Sequence, residues 1–212
     1  MLLEKPMRPN IPLRALITAA PLLLSTVAFA SECNDLAPQA DPANTENGYF
    51  NLQGRDLNPE NRSRLKRFSV ALSGTWRGTE LAKTCVGNHK SPTSQLDRYP
   101  VDAEIRRHAT GAVRMDAEKE RLSDRAVKLD TLFLTPESDI EYGRPLGWHT
   151  FEFLDENTIV FSEKSRVHNG NNFARFIHEI KKIQLVDNQL TIDRKLYVNG
   201  HFVEQNGWVL SR

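Results

Sequence analysis

Four polar residues in this chain share strand parity with apolar neighbours, and these are the positions where chemistry is expected. His149 alternates with Phe151 and Phe153, and His178 alternates with Phe176 and Ile180. Arg194 falls between Ile192 and Leu196, and Glu80 shares parity with Trp76, Gly78 and Ala82. Period-two spacing places such residues on one face of a strand. Two imidazoles, a guanidinium and a carboxylate in an apolar cup would suit an anionic or amphipathic ligand, with Phe151, Phe153 and Phe176 as wall. An acid–base pair such as Glu80 with His149 would need both side chains within reach of one point. Each residue also has a plainer reading. A histidine on an apolar face is more often a hydrogen-bonded core residue, and Glu80 turns to solvent if a bulge shifts parity. Lys181-Lys182 interrupts the alternation of residues 173–186, so a bulge is expected there.

Other chemistries lack local support. The six His show no H-x-H or H-E-x-x-H spacing, and Cys33 and Cys85 form no C-x-x-C. No G-x-S-x-G or glycine-rich phosphate loop occurs. The pattern therefore calls for no catalytic residue of a known motif, no metal and no cofactor.

The elements that must position these residues are strands. Residues 148–212 read as a meander in which Leu190, Ile192, Leu196 and Val198 alternate with Thr191, Asp193, Lys195 and Tyr197. Asn199-Gly200, Asp187-Asn188 and Asn169-Gly170 mark reversals, because a type I′ hairpin turn needs positive φ at both central residues. Upstream, residues 73–85 open the strand series. Val101/Ala103/Ile105, Val113/Met115/Ala117 and Val127/Leu129/Phe133 carry the next three strands. Two long loops, 86–99 and 135–147, are expected. Asn58-Pro59-Glu60 looks like a helix start, followed by Asn61, Leu65, Phe68 and Leu72 at helical spacing. The bases Arg62, Arg64, Lys66 and Arg67 read as that helix's solvated face, and Asn61-Arg62-Ser63 fits a glycosylation sequon. About nine strands without intervening helices exclude parallel βαβ units, and turns this short disfavour a Greek-key sandwich. The expected fold is all-β: a single antiparallel up-and-down β-barrel with a short N-terminal helix, which leaves no exposed sheet edge.

Ahead of that domain, Arg8 and Arg14 precede an apolar run that ends in Ala28-Phe29-Ala30, the layout of a cleaved signal peptide. The run is broken by Pro21 and is shorter than the ~20 residues of a bilayer span, so no integral membrane segment is expected after cleavage. The expected organisation is a signal peptide over 1–30, an extended arm over 31–55 and the barrel over 56–212, in an exported (periplasmic or secreted) protein. Loss of Lys5, Arg8, Arg14 and Glu4 with the signal turns the net charge of +1 into −1, which gives no footprint for nucleic acid. In an oxidising compartment Cys33 and Cys85 are expected to pair, closing a loop whose constraint is worth on the order of 4 kcal/mol.

Gly74-Thr75-Trp76, at the head of the first strand, resembles the G-x-W signature of lipocalins and the wider calycin group. The resemblance implies a barrel whose Trp76 plugs the closed end, with a base from the final strands lying across it. Arg212 is placed for that part. The middle lipocalin motif is absent. So is the R-x-Y of fatty-acid binders, since Arg194 is followed by Lys195-Leu196 and Tyr197 comes one place late. The likeness is therefore to a lipocalin-like barrel as a class. It implies a binding protein holding a small hydrophobic or amphipathic ligand, and strand parity makes Glu80, His149, Phe151, Phe153, Phe176, His178 and Arg194 its expected contacts. The alternative is a secreted or envelope protein-interaction module working through outer-loop residues His89, Lys90, Arg98 and Tyr99, or Tyr142 and Arg144.

Overall fold

The computed structural model describes residues 33–38, 50–51, 59–87, 91–108, 112–120, 126–135, 138–139, 144–145, 149–169 and 173–212. In chain order the elements are β1 (Phe50–Asn51), α1 (Pro59–Leu72), β2 (Gly74–Val86), β3 (Thr93–Arg107), β4 (Val113–Glu120), β5 (Val127–Phe133), β6 (Ser138–Asp139), β7 (Arg144–Pro145), β8 (His149–Phe153), β9 (Thr158–Asn169), β10 (Phe173–Val186), β11 (Gln189–Val198) and β12 (His201–Ser211). Apart from the two-residue pair β6–β7, all strands join one antiparallel sheet in the order β1-β8-β9-β10-β11-β12-β2-β3-β4-β5. Consecutive strands are neighbours throughout the long run, and β12 pairs with β2, so the final strand returns to the first long one. No ladder joins β5 to β8 among the described residues, so the expected closed ring of ladders is not what the sheet displays.

Side chains from distant strands nevertheless meet on one face. Lys181 Nζ of β10 donates to the Phe133 carbonyl of β5 at 2.7 Å, although five strands separate the two in the ladder. A sheet whose members six places apart touch is strongly curled, as accumulated strand twist demands. The concave face holds the core: Trp76, Ile105, Met115, Ile159, Ile183, Leu190, Ile192 and Leu210 are all buried there with α1 residues Leu65, Phe68 and Leu72. α1 begins at Pro59, where fixed φ and a missing N–H fit the first helical position. Its buried row includes Asn61, so the glycosylation sequon lies on the inner face of a helix.

The end of α1 is where helix and sheet are locked. Trp76 Nε1 donates to Leu72 O at 2.8 Å, and Ser73 Oγ donates to Ser69 O at 2.9 Å. The Arg212 guanidinium donates to Ala71 O and to Ser73 O, and lies 4.2 Å from the centre of the Trp76 ring. Unpaired carbonyls at a helix C-terminus are thus met by an indole N–H and a cation, the partners their partial negative charge favours. Strands β2 and β12 approach closely at Gly78, where a Cβ would lie 2.0 Å from Val209 O.

Two expectations about loops change. β3 begins at Thr93, not near residue 100, and pairs with β2 as far as Val86↔Thr93. The anticipated loop 86–99 is mostly a projecting hairpin; its residues before Tyr99 stand beyond the core, so polar residues occupy both faces and no alternation betrays the strand. Tyr99 points into the interior, where Lys119 Nζ stands 5.1 Å from its ring centre, rather than serving an outer loop. His89, Lys90 and Tyr142 lie outside the described residues.

Cys33 and Cys85 form a disulfide, 52 residues apart in sequence. It fixes the arm beside β12, where Ala37 N donates to Gly200 O and Phe202 N to Asp35 O. No helix among the described residues is long and apolar enough to cross a membrane.

Candidate functional site

Above the apolar floor, the concave face turns charged. Glu80 of β2 is fully buried, and Lys119 of β4 reaches it at 3.1 Å while also pairing with Asp130 of β5. Asn206 of β12 donates to Glu80 Oε1 and to Glu204 Oε1, both at 2.9 Å, and accepts from Arg194 Nη1 at 2.8 Å. Arg194 of β11 pairs with Glu179 of β10, which also holds Lys181 at 2.8 Å. Lys181 then returns to the Phe133 carbonyl. The chain of contacts runs from β5 through β4, β2, β12, β11 and β10 and ends on β5 again. Around it lies a cavity of about 500 Å³ whose walls include Met115, Leu132, Trp208 and Glu163. That volume is within the range of small-molecule sites.

The electrostatics follow from burial and pairing. Burial pushes Glu80 above the usual carboxylate range, although Lys119 and Asn206 work against it. Burial would lower Lys119, but its bond to Asp130 and the charges of Glu80 and Asp130 outweigh that and hold it above its ordinary value. Burial likewise would raise Glu179, yet the Lys181 and Arg194 charges and hydrogen bonds keep it below the ordinary range. Charged pairs in such sites are strongly coupled and rigid only when each lone pair and proton has a partner. One buried donor here lacks one: the indole Nε1 of Trp208, a residue 3% exposed.

Of the residues singled out from sequence, Glu80 and Arg194 meet in this network through Asn206. Phe153 stands beside α1, with the Arg64 guanidinium 4.2 Å from its ring. Register places His149 opposite Glu163, Phe151 opposite Phe161 and Phe153 opposite Ile159, the row that shares the concave face. The side chains of His149 and Phe151 lie outside the described residues.

Phe176 and His178 require a correction, because they belong to the opposite face. Phe176 is 58% exposed. His178 pairs in register with Tyr197, and its Nε2 lies 2.7 Å from Ser162 Oγ. β10 carries no bulge: its pairing with β9 and β11 is uninterrupted from Phe173 to Val186. Lys181 breaks the alternation because the interior itself is charged at that level. Burial, with the Lys164 charge, drives the His178 pKa down to about 4, so the ring is neutral and a poor base near pH 7.

Lys119, Asp130, Glu179, Lys181, Glu204 and Asn206 were not singled out by sequence reasoning. A signal existed, since Lys119 extends the row Val113, Met115, Ala117, and Glu204 and Asn206 extend the row of Trp208 and Leu210. Among the described residues, no group of three His, Cys, Asp or Glu is arranged to hold a metal ion. Compared with models of protein families and with curated protein sequences, the chain finds no match.

Proposed function

We propose that this chain is an exported, lipocalin-like binding protein that holds a small amphipathic ligand inside a barrel whose seam lies between β5 and the β1–β8 edge. The single observation carrying this reading is the cavity of about 500 Å³, with charged walls above an apolar floor. Trp208, Met115 and Leu132 offer apolar contact, while Lys119, Glu179 and Arg194 offer fixed charges. A wholly hydrophobic ligand would desolvate those charges without replacing their water, so the amphipathic version of the expectation is favoured. Export is supported by the signal-like residues 1–30 and by the Cys33–Cys85 disulfide, a bond suited to an oxidising compartment.

Native mass spectrometry of protein recovered from the exported fraction tests the reading. A co-purifying small molecule is the expected result. An empty protein that binds nothing from an extract of its own compartment would argue for a different role. A protein-interaction role has one supporting observation, the 62%-exposed Leu96 on the projecting β2–β3 hairpin. Under that reading Leu96→Asp abolishes capture of a partner while leaving the fold intact.

A further inference from the structure

The network that lines the cavity does not balance. Among the described residues its carboxylates are Glu80, Asp130, Glu179 and Glu204, with Glu163 also in the cavity wall, against the bases Lys119, Lys181 and Arg194. Every base is committed. Lys119 serves Glu80 and Asp130 and faces Tyr99. Lys181 serves Glu179 and the Phe133 carbonyl, and Arg194 serves Glu179 and Asn206. The least neutralised acid is Glu204: it accepts from Asn206, and Arg194 stands 3.7 Å away. An anionic headgroup entering the cavity would have to break existing pairs to find a cation. A cationic headgroup can be added beside Glu204 with every pair intact, and it cancels surplus negative charge in a partly desolvated space. Independently, Trp208 lines the same cavity, and its buried indole N–H has no acceptor. A buried donor of this kind is satisfied by an acceptor atom on whatever occupies the site.

We infer that the ligand is an amphipathic amine, with its protonated nitrogen beside Glu204 and an adjacent oxygen accepting from Trp208 Nε1. The inference rests on the binding role proposed above. It gives that role a direction: the charged walls select cations and reject fatty acids, although the sequence alone had suggested an anionic or amphipathic ligand.

Calorimetric titration of the folded protein with four probes sharing one eight-carbon tail tests it: 2-(octylamino)ethanol, octylamine, octanol and octanoate. The expected order of affinity is amino alcohol, then amine, then alcohol, with octanoate weakest. Glu204→Gln, which keeps shape and removes charge, weakens both amines about tenfold, equivalent to ~1.4 kcal/mol. Trp208→Phe removes the advantage of the amino alcohol over octylamine. Glu104→Gln, on an exposed side chain of the outer face, changes nothing. If octanoate or octanol binds as tightly as octylamine, the amine inference is overturned while the binding role stands. If none of the four binds, both fail. Should Glu204→Gln not fold, the probe order on the unaltered protein decides alone.

Discussion

The two ends of the concave face are built on the same strands and obey opposite rules. Toward α1, β10 contributes Ile183, β11 contributes Leu190 and Ile192, β12 contributes Leu210, and β2 contributes Trp76. A few residues along, the same strands contribute Lys181 and Glu179, Arg194, Asn206 and Glu204, and Glu80. β4 and β5 change likewise, from Met115 to Lys119 and from Leu132 to Asp130. Apolar burial stabilises by about 25 cal/mol per Å², whereas a buried ion network returns little or nothing beyond its desolvation cost. The apolar end therefore holds the fold together. The charged end is tolerated by it and adds little to stability.

That division can be broken most directly at Trp76. Trp76→Ala removes the largest fully buried side chain and its bond to Leu72 O, so a loss of about 3–5 kcal/mol is expected in denaturant unfolding. A loss below ~1 kcal/mol would sink the division. Next is Lys119→Met, which strands the buried Glu80 and costs about 3 kcal/mol at neutral pH. The raised carboxyl of Glu80 gives its stability at low pH and loses it as pH rises, so this loss shrinks as pH falls through the ordinary carboxylate range. Glu80→Gln combined with Lys119→Met should recover most of the loss. If it does not, the charged end contributes more to stability than the contrast allows.

His178, on the outer face, sharpens the comparison by separating acid sensitivity from the interior network. The unfolded imidazole takes up a proton near 6.5 while the folded one stays neutral to about 4. Stability is thus full above the unfolded pKa and declines as pH falls from 6.5 toward 4. His178→Gln flattens that decline by on the order of 2 kcal/mol in a pH series of thermal unfolding. The smallest effect belongs to Arg212→Gln, which removes the cation from the Trp76 ring and from the α1 carbonyls. A loss of about 1 kcal/mol is expected.

Much of the scaffold could be read from residue types alone. Asp187-Asn188 and Asn199-Gly200 take positive φ as their turns require, and α1 starts at the proline that marks it. Cys33 meets Cys85, and Arg212 lies over Trp76. What escaped were positions where the usual equation of inward with apolar fails. Lys181-Lys182 suggested a bulge because strand patterns are judged by hydrophobicity, and a charged interior defeats that test. The same error carried Phe176 and His178 to the wrong face. The one register shift in the β11–β12 ladder, between Leu196 and Tyr197, left no trace in an alternation that looked regular throughout.

The pairing of β2 with β12 also constrains how the molecule is made. β2 emerges early in synthesis and can bind β3 at once, but its other edge waits for a strand translated long afterwards. Until then that edge is open to pairing with another polypeptide, a hazard for any slow-forming sheet. Chains cut short before β12 should accumulate as aggregates or be cleared by proteases, whereas substitutions in the projecting β2–β3 hairpin should leave yield unchanged.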